Sequence, residues 1–441
     1  MTPNEILAIL SILSFFAMLA IGIPVALTLA ISGFVFGFLG FGAGLFNLLP
    51  ARIFGITANY TLIAIPLFVF MGVMLEKSKI ADDLMDVIGH LAGGLRGGMG
   101  IGIVLVGVLM GATTGIVGAT IVTLGLITLP ALIRRNYHLP TACGTICASG
   151  TLGQIIPPST ILILLSDILG QSVGTLFAAA LFPGMMLAGI FVIYLLVLGM
   201  VRPEMMPPVD LGERQSMSRS ELWLKAARVG LPPIALVLAV LGSIIGGVAA
   251  PTEAASMGAL GSLLVVAISG RLSFSVLRES TLATTRITAG MMFILICAQV
   301  FALAFRGLGG EALVHRLFEW IPGGIDADIL FMLLLIFLLG FFIEWIEISY
   351  IVVPLFLPIL MQANVDLVWI AALIALVLQT SFLTPPFGWA LFYLRSVAPP
   401  SVSTWDIYRG VVPFICLQMV AVALLFLFPG IATWLPRAIG W

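Results

Sequence analysis

Two carboxylates, Glu344 and Glu347, stand in an otherwise apolar run, Phe341-Phe342-Ile343-Glu344-Trp345-Ile346-Glu347-Ile348-Ser349. A charge at membrane depth is costly, so an acid there is a functional-site candidate. One-turn spacing would put both acids on one helix face, where they could serve a cation. The alternative is a pair of ordinary carboxylates solvated in an aqueous vestibule. A second kind of chemistry lies in Gly153-Gln154-Ile155-Ile156-Pro157-Pro158-Ser159, inside an apolar run over 141–169. Each proline lacks an N–H and crowds the carbonyl one turn back, so the helix must break there. Backbone groups freed at membrane depth need protein, water or a ligand to satisfy them, which makes the break a candidate binding site.

The same device returns in Leu383-Thr384-Pro385-Pro386-Phe387-Gly388, 228 positions later. Other anchors keep nearly that offset. Pro130 returns as Pro358 at 228, Pro24 as Pro251 at 227, and Gly93-Gly94 as Gly323-Gly324 at 230. These matches indicate an internal duplication, and broken helices at equivalent places in two halves point to a transporter binding site.

Composition sets the class. Of the 441 residues, 61% are hydrophobic and 9% charged, against roughly 25% charged in soluble domains. This is an all-α polytopic membrane protein lying in a lipid bilayer. A net charge of −1 gives no basic surface for nucleic acid. Cys143, Cys147, Cys297 and Cys416 all lie in apolar segments and read as small packing residues. His90, His138 and His315 fall in polar loops without ligand spacing. No cleavable signal pattern precedes the first apolar run. No HExxH motif is present, nor a serine or aspartate dyad on facing helices, so the chain is not read as an enzyme.

A spanning helix needs about 20 apolar residues. The first repeat covers 1–200. Residues 5–41 hold two spans, 42–60 an amphipathic interfacial segment, 61–75 a third span, and 76–98 a polar stretch. Residues 99–135 exceed one span at ~1.5 Å per residue, and the cluster from Gly111 to Thr120 suits a turn. They read as a re-entrant hairpin or as one long kinked helix. The broken helix 141–169 and a span at 176–199 follow. Residues 201–228 form a polar linker carrying nine charges, with a helix through 218–227. The second repeat, 229–441, has spans near 229–249, 252–269 and 287–305. It continues with a hairpin at 327–361 tipped near Glu344–Ser349, a broken helix at 367–394 and a last span near 411–435.

With hairpins counted as non-crossing, each repeat crosses five times. Placing the linker in the cytoplasm puts 15 of the 19 basic residues inside and leaves Arg52, Arg306, Arg316 and Arg437 outside. The positive-inside rule then sets both termini on the outer, periplasmic face. An odd number of crossings inverts the second repeat, so the two hairpin tips should meet near mid-membrane. Helix N-termini there favour an anion, and carbonyls at C-terminal ends favour a cation. Arg306, before Gly307-Leu308-Gly309-Gly310, could bind a carboxylate or anchor a helix at the interface. Glu253 after Pro251 suits a helix start, and Asp167 lies near the outer interface. Small Thr and Gly residues near the breaks also permit close helix packing.

The stretches Gly153–Ser159, Pro251-Thr252-Glu253-Ala254-Ala255, Phe341–Ser349 and Leu383–Gly388 resemble the large membrane subunit of the tripartite ATP-independent periplasmic (TRAP) transporters. They span nearly the whole chain in the family's order. The resemblance implies sodium-coupled uptake of an organic anion across the bacterial inner membrane by an elevator motion of the hairpin domain. It implies two partners, a periplasmic binding protein and a small four-helix membrane subunit. Na+ is then a transported coupling ion. One sodium site falls on Thr113, Gly115, Gly153 and Pro157, with Thr114, Gly118 and Thr120 beside it toward substrate. The other falls on Glu344, Glu347, Thr380, Ser381, Thr384 and Pro385. Substrate would lie between the tips, near Ser349 and Arg306. A stand-alone sodium- or proton-coupled organic-anion symporter of the same architecture is the alternative. The chain departs from the family at its second tip. Trp345 and Ile346 follow Glu344 where many members carry a small residue, which points to a different substrate subgroup.

Overall fold

The computed structural model describes residues 2–92, 94–209, 218–319, 321–385 and 388–441. Gly93, Pro386 and Phe387, which belong to the repeat anchors and the second break, lie outside the described residues, as do linker residues 210–217. All regular structure among the described residues is helical.

The helices of the first half are α1 (Pro3–Ala20), α2 (Val25–Phe41), α3 (Gly44–Thr57), α4 (Ala64–Lys77), α5 (Ile80–Ala92), α6 (Gly98–Thr114), α7 (Val117–Arg134), α8 (Leu139–Thr151), α9 (Thr160–Leu169) and α10 (Val173–Val201). The second half holds α11 (Arg219–Ile245), α12 (Pro251–Ile268), α13 (Phe274–Gly307), α14 (Gly310–Glu319), α15 (Ile325–Leu339), α16 (Trp345–Ile351), α17 (Val353–Gln362), α18 (Leu367–Leu383), α19 (Trp389–Val397), α20 (Thr404–Leu427) and α21 (Gly430–Ala438). Seven of the described helices (α1, α7, α10, α11, α12, α13 and α20) are long and apolar enough to cross a membrane. Two bent pairs, α3 with the segment through α4 and α16 with α17, bring the count to nine.

Element bounds recur at the offset read from the prolines. Adding 228 to α7 gives 345–362, the span of α16 and α17 together, and adding it to α9 gives 388–397, the place of α19. Local chemistry fixes the ends. Thr2 and Glu5 form a reciprocal capping box at α1, and Ser218 with Glu221 does the same at α11, so two orphan donors are satisfied at each start.

The centre of the molecule is α8. Every residue from Thr141 to Thr151 is buried, and α6, α7 and α20 pack around it. Its small side chains allow this. A Cβ on Gly144 would lie 1.9 Å from the carbonyl oxygen of Gly410, so α8 and α20 touch backbone to backbone. The equivalent helix in the second half, α18, is buried from Trp369 to Leu383. Beside this unit stands a second group, with α13 along α2 and α4, and α12 along α4 and α11.

Four sequence expectations need correction. The second tip is the non-helical stretch 340–344, whereas Trp345–Ile351 is helical; Gly340 ends the preceding helix, and polarity misplaced the turn. α16 and α17 meet at a 45° bend, where Pro354 cannot donate to Tyr350. The span expected at 287–305 is the 34-residue α13, because Ser273 caps a helix that runs through Arg278 and Glu279. The last span ends at Leu427, since Phe428 precedes Pro429 and takes φ −125°, ψ 75°; α21 follows separately. The polar stretch 76–98 contains amphipathic α5, and both His90 and His315 are helical.

Candidate functional site

The first tip is two residues long. α6 ends at Thr114, Gly115 takes φ +60° and ψ 10°, and Ile116 is extended before α7 begins. Only glycine adopts that left-handed cap without strain. α6 and α7 pack on each other and jointly on α8, so the chain folds back and forms the hairpin. Thr114 Oγ1 and Thr120 Oγ1 are 3.0 Å apart, and Thr120 Oγ1 donates to the Ile116 carbonyl at 3.0 Å. These two threonines staple the tip. Thr113 Oγ1 donates to Met110 O at 2.9 Å.

The first break lies directly behind it. α8 ends at Thr151, a single 3-10 turn covers Leu152–Gln154, and the chain is non-helical until Thr160. Ser159 Oγ donates to the freed carbonyl of Gln154. Thr160 Oγ1 donates to Gly115 O at 3.3 Å and so ties break to tip. A Cβ on Gly111 would lie 2.4 Å from Gly153 Cα, and one on Gly153 would lie 2.5 Å from Gly111 Cα. Two glycines are required for that approach.

The second tip packs comparably. A Cβ on Gly340 would lie 2.1 Å from Ser381 Oγ. Ser349, Thr380, Ser381 and Thr384 donate to carbonyls three or four residues back in their own helices, at 2.7 to 2.9 Å. Each hydroxyl keeps lone pairs for a cation. The two acids do not share a helix face as expected from their spacing. Glu344 is the extended N-cap of α16 and Glu347 lies inside the helix. Glu347 is 1% exposed, and its Oε2 has no partner among the described residues. Pro385 is the last described residue before the gap at the second break. No group of three His, Cys, Asp or Glu residues gathers among the described residues.

Tips and breaks meet at one cavity of about 130 Å³. Gly115 and Gly118 come from the first tip, Gln154 and Thr160 from the first break. Glu344 comes from the second tip, Trp345 and Ile346 from the start of α16, and Phe382, Trp389 and Tyr393 from α18 and α19. Val69 of α4 and Ile287 and Met291 of α13 close it from the neighbouring helix group. α7, α9 and α19 begin at this cavity, so their unpaired N–H groups surround it.

Several expected residues stand elsewhere. Thr113, Thr114, Thr120, Gly153, Pro157, Glu347, Ser349, Thr380, Ser381, Thr384 and Pro385 lie outside the cavity lining. Arg306 ends α13 and pairs with Glu311 at 3.3 Å. It is not among the lining residues, so the substrate role expected of it has no geometric support. Trp389 and Tyr393 were missed; their i, i+4 spacing after the second break was the available signal. Gln154 and Thr160 lay in or beside the first break motif without being singled out.

The paired breaks around one cavity are the architecture of a multi-pass membrane permease. Residues 12–431 match the family described as tripartite ATP-independent periplasmic transporter, DctM component, and the chain belongs to that family. The resemblance drawn from its motifs is borne out. It is similar to the C4-dicarboxylate TRAP transporter large permease of Pseudomonas aeruginosa, at 29% identity over 89% of this chain and 90% of that one. It is similar to the ectoine TRAP transporter large permease of Halomonas elongata, at 28% identity over 95% and 96%. It also matches the sialic acid TRAP transporter permease of Haemophilus influenzae, at 25% identity over 86% of this chain and 60% of that one. The fold is shared with the YdaH transporter of Alcanivorax borkumensis, with a TM-score of 0.64, 15% identity and coverage of 93% and 98%. The chain is a transporter component and not an enzyme. Membership implies a periplasmic binding protein and a small membrane subunit as partners.

Proposed function

We propose that this chain is the substrate-carrying subunit of a sodium-coupled elevator transporter for organic acids delivered by a periplasmic binding protein. The observation that carries the reading is the convergence of both tips and both breaks on one cavity, ringed by the N-termini of α7, α9 and α19. Broken helices whose N-termini face a common point are built for an anion, and the carbonyls freed beside them for a cation.

Each tip with the break behind it serves one sodium ion in this reading. The first uses Thr113, Gly115, Gly153 and Pro157. Glu344, expected in the second site, lines the cavity instead; the second uses Glu347, Thr380, Ser381, Thr384 and Pro385, and the unpartnered Glu347 oxygen supports it. Residues 1–200 and 229–441 are inverted repeats, joined by the cytoplasmic linker 201–228. Both termini face the periplasm, and the charge bias of the loops supports that orientation. The α6–α9 and α15–α19 unit slides against the group of α2, α4, α11, α12 and α13. A stand-alone symporter would use the same geometry, but no observation favours it over the tripartite system.

Sodium binding to the folded state stabilises it by mass action. The purified chain with its small membrane subunit should therefore melt at a higher temperature in sodium than in potassium at equal ionic strength. Equal melting in both salts contradicts the coupling.

A further inference from the structure

A second carboxylate on the substrate would find no basic side chain in this cavity among the described residues. Glu344 is the single charged side chain in its lining among the described residues. Arg286, next in sequence to the lining residue Ile287, is exposed and outside the lining. A second carboxylate would meet Glu344 and suffer like-charge repulsion in a partly desolvated space.

The remaining lining has the opposite preference. Trp345, Phe382, Trp389 and Tyr393 line the cavity together with Glu344. Aromatic faces attract cations, and quaternary ammonium groups in particular. Gln154 is 3% exposed and its Oε1 has no partner, which leaves a buried acceptor at the same place. The donors serve the other end of a ligand. Trp389 Nε1 is buried and unpartnered, and it belongs to the first residue of α19. That helix start, with those of α7 and α9, suits one carboxylate. A volume of about 130 Å³ lies below the ~300 Å³ at the lower end of drug-sized ligand pockets, so the occupant is small.

Resting on the transport reading above, the geometry points to a small zwitterion as the substrate. Its carboxylate lies at the starts of α7, α9 and α19, where Trp389 and Tyr393 stand, and its cationic group lies beside Trp345 and Phe382 with Glu344 as counter-charge. This accounts for the bulky residue after the second tip, where Trp345 at the start of α16 supplies a ring that a small residue cannot.

The test is equilibrium binding to this chain with its small membrane subunit in nanodiscs, at saturating sodium, with three probes. Glycine betaine carries both charges, 3,3-dimethylbutanoate is its uncharged-headed isostere, and succinate carries two carboxylates. The expected order places glycine betaine about tenfold tighter than either of the others. Glu344→Gln should reduce that preference to roughly twofold while 3,3-dimethylbutanoate still binds, which separates lost recognition from lost folding. Succinate or 3,3-dimethylbutanoate binding as tightly as glycine betaine overturns the proposal, as does an unchanged preference in Glu344→Gln. Failure of all three to bind overturns it as well. Sodium-dependent succinate binding alone overturns the zwitterion but leaves the carrier reading standing.

Discussion

Nε2 of Gln379 donates to Oγ1 of Thr151 at 3.2 Å, and the two residues stand 228 positions apart, the offset of the paired prolines. A residue can touch its own counterpart only near an axis that relates the two halves. The contact lies deep in the protein, with both residues fully buried, and supports placing the axis between α8 and α18.

Thr151 Oγ1 also accepts from Nε2 of Gln418 at 3.5 Å. Thr151→Val removes the shared acceptor and leaves two buried amides without it. A buried polar group stripped of its partner costs about 1–3 kcal/mol. The variant should melt several degrees below the parent in detergent, and an unchanged melting temperature would remove Thr151 from the core's polar framework.

Glu347→Gln should leave melting in potassium nearly unchanged, because the amide keeps the size and shape of the buried side chain. Losing the cation's partner weakens sodium binding by about tenfold, ~1.4 kcal/mol. A sodium titration of the melting temperature reads both, and a curve superimposable on the parent's would exclude Glu347 from the site.

Gly72 of α4 touches the first tip. A Cβ there would lie 2.3 Å from Thr114 Cα and 2.6 Å from Thr113 O. Gly72→Ala should penalise this arrangement by about 1–3 kcal/mol. If the tip slides past α4, the population moves to the alternative position. In a background lacking the four native cysteines, an Ile116→Cys thiol should then react faster with an impermeant maleimide from one side and slower from the other. Unaltered rates on both sides would mean that the contact does not change during transport.

His138, outside the spans at the start of α8, has a pKa below the ordinary histidine value. Partial desolvation by its neighbours is the main cause. The Asp406 carboxylate opposes it, and the Arg202 and Arg409 charges add to it. The neutral ring is the folded state's preference. Its contribution is complete above the unfolded pKa near ~6.5 and is lost as pH falls from there through the lower folded pKa. Because the side chain is exposed, the effect is small. Melting at pH 7.5 and 5.5 should differ less in His138→Gln than in the parent; an equal difference assigns the slope elsewhere.

The breaks and the first hairpin were legible because their causes are local. Proline at 157 and 158 cannot propagate a helix, and Gly115 sits where only a left-handed cap turns the chain in two residues. The second tip was misread because Glu344 is polar yet serves as a helix N-cap, while the turn lies in apolar Phe341–Ile343. The full length of α13 was hidden by Arg278, Glu279 and Arg286, which read as loop but sit on exposed faces of a continuous helix. Cavity residues such as Trp389 and Tyr393 could not be ranked from sequence, since their role depends on two distant tips meeting.

The most direct measurement of the central claim is uptake into proteoliposomes holding this chain and its small membrane subunit. A periplasmic binding protein loaded with a radiolabelled organic acid is supplied outside, under an inward sodium gradient. Accumulation should require both sodium and the binding protein, and should collapse when potassium replaces sodium outside. Equal accumulation in potassium would contradict sodium coupling, and equal accumulation without the binding protein would contradict the tripartite mechanism.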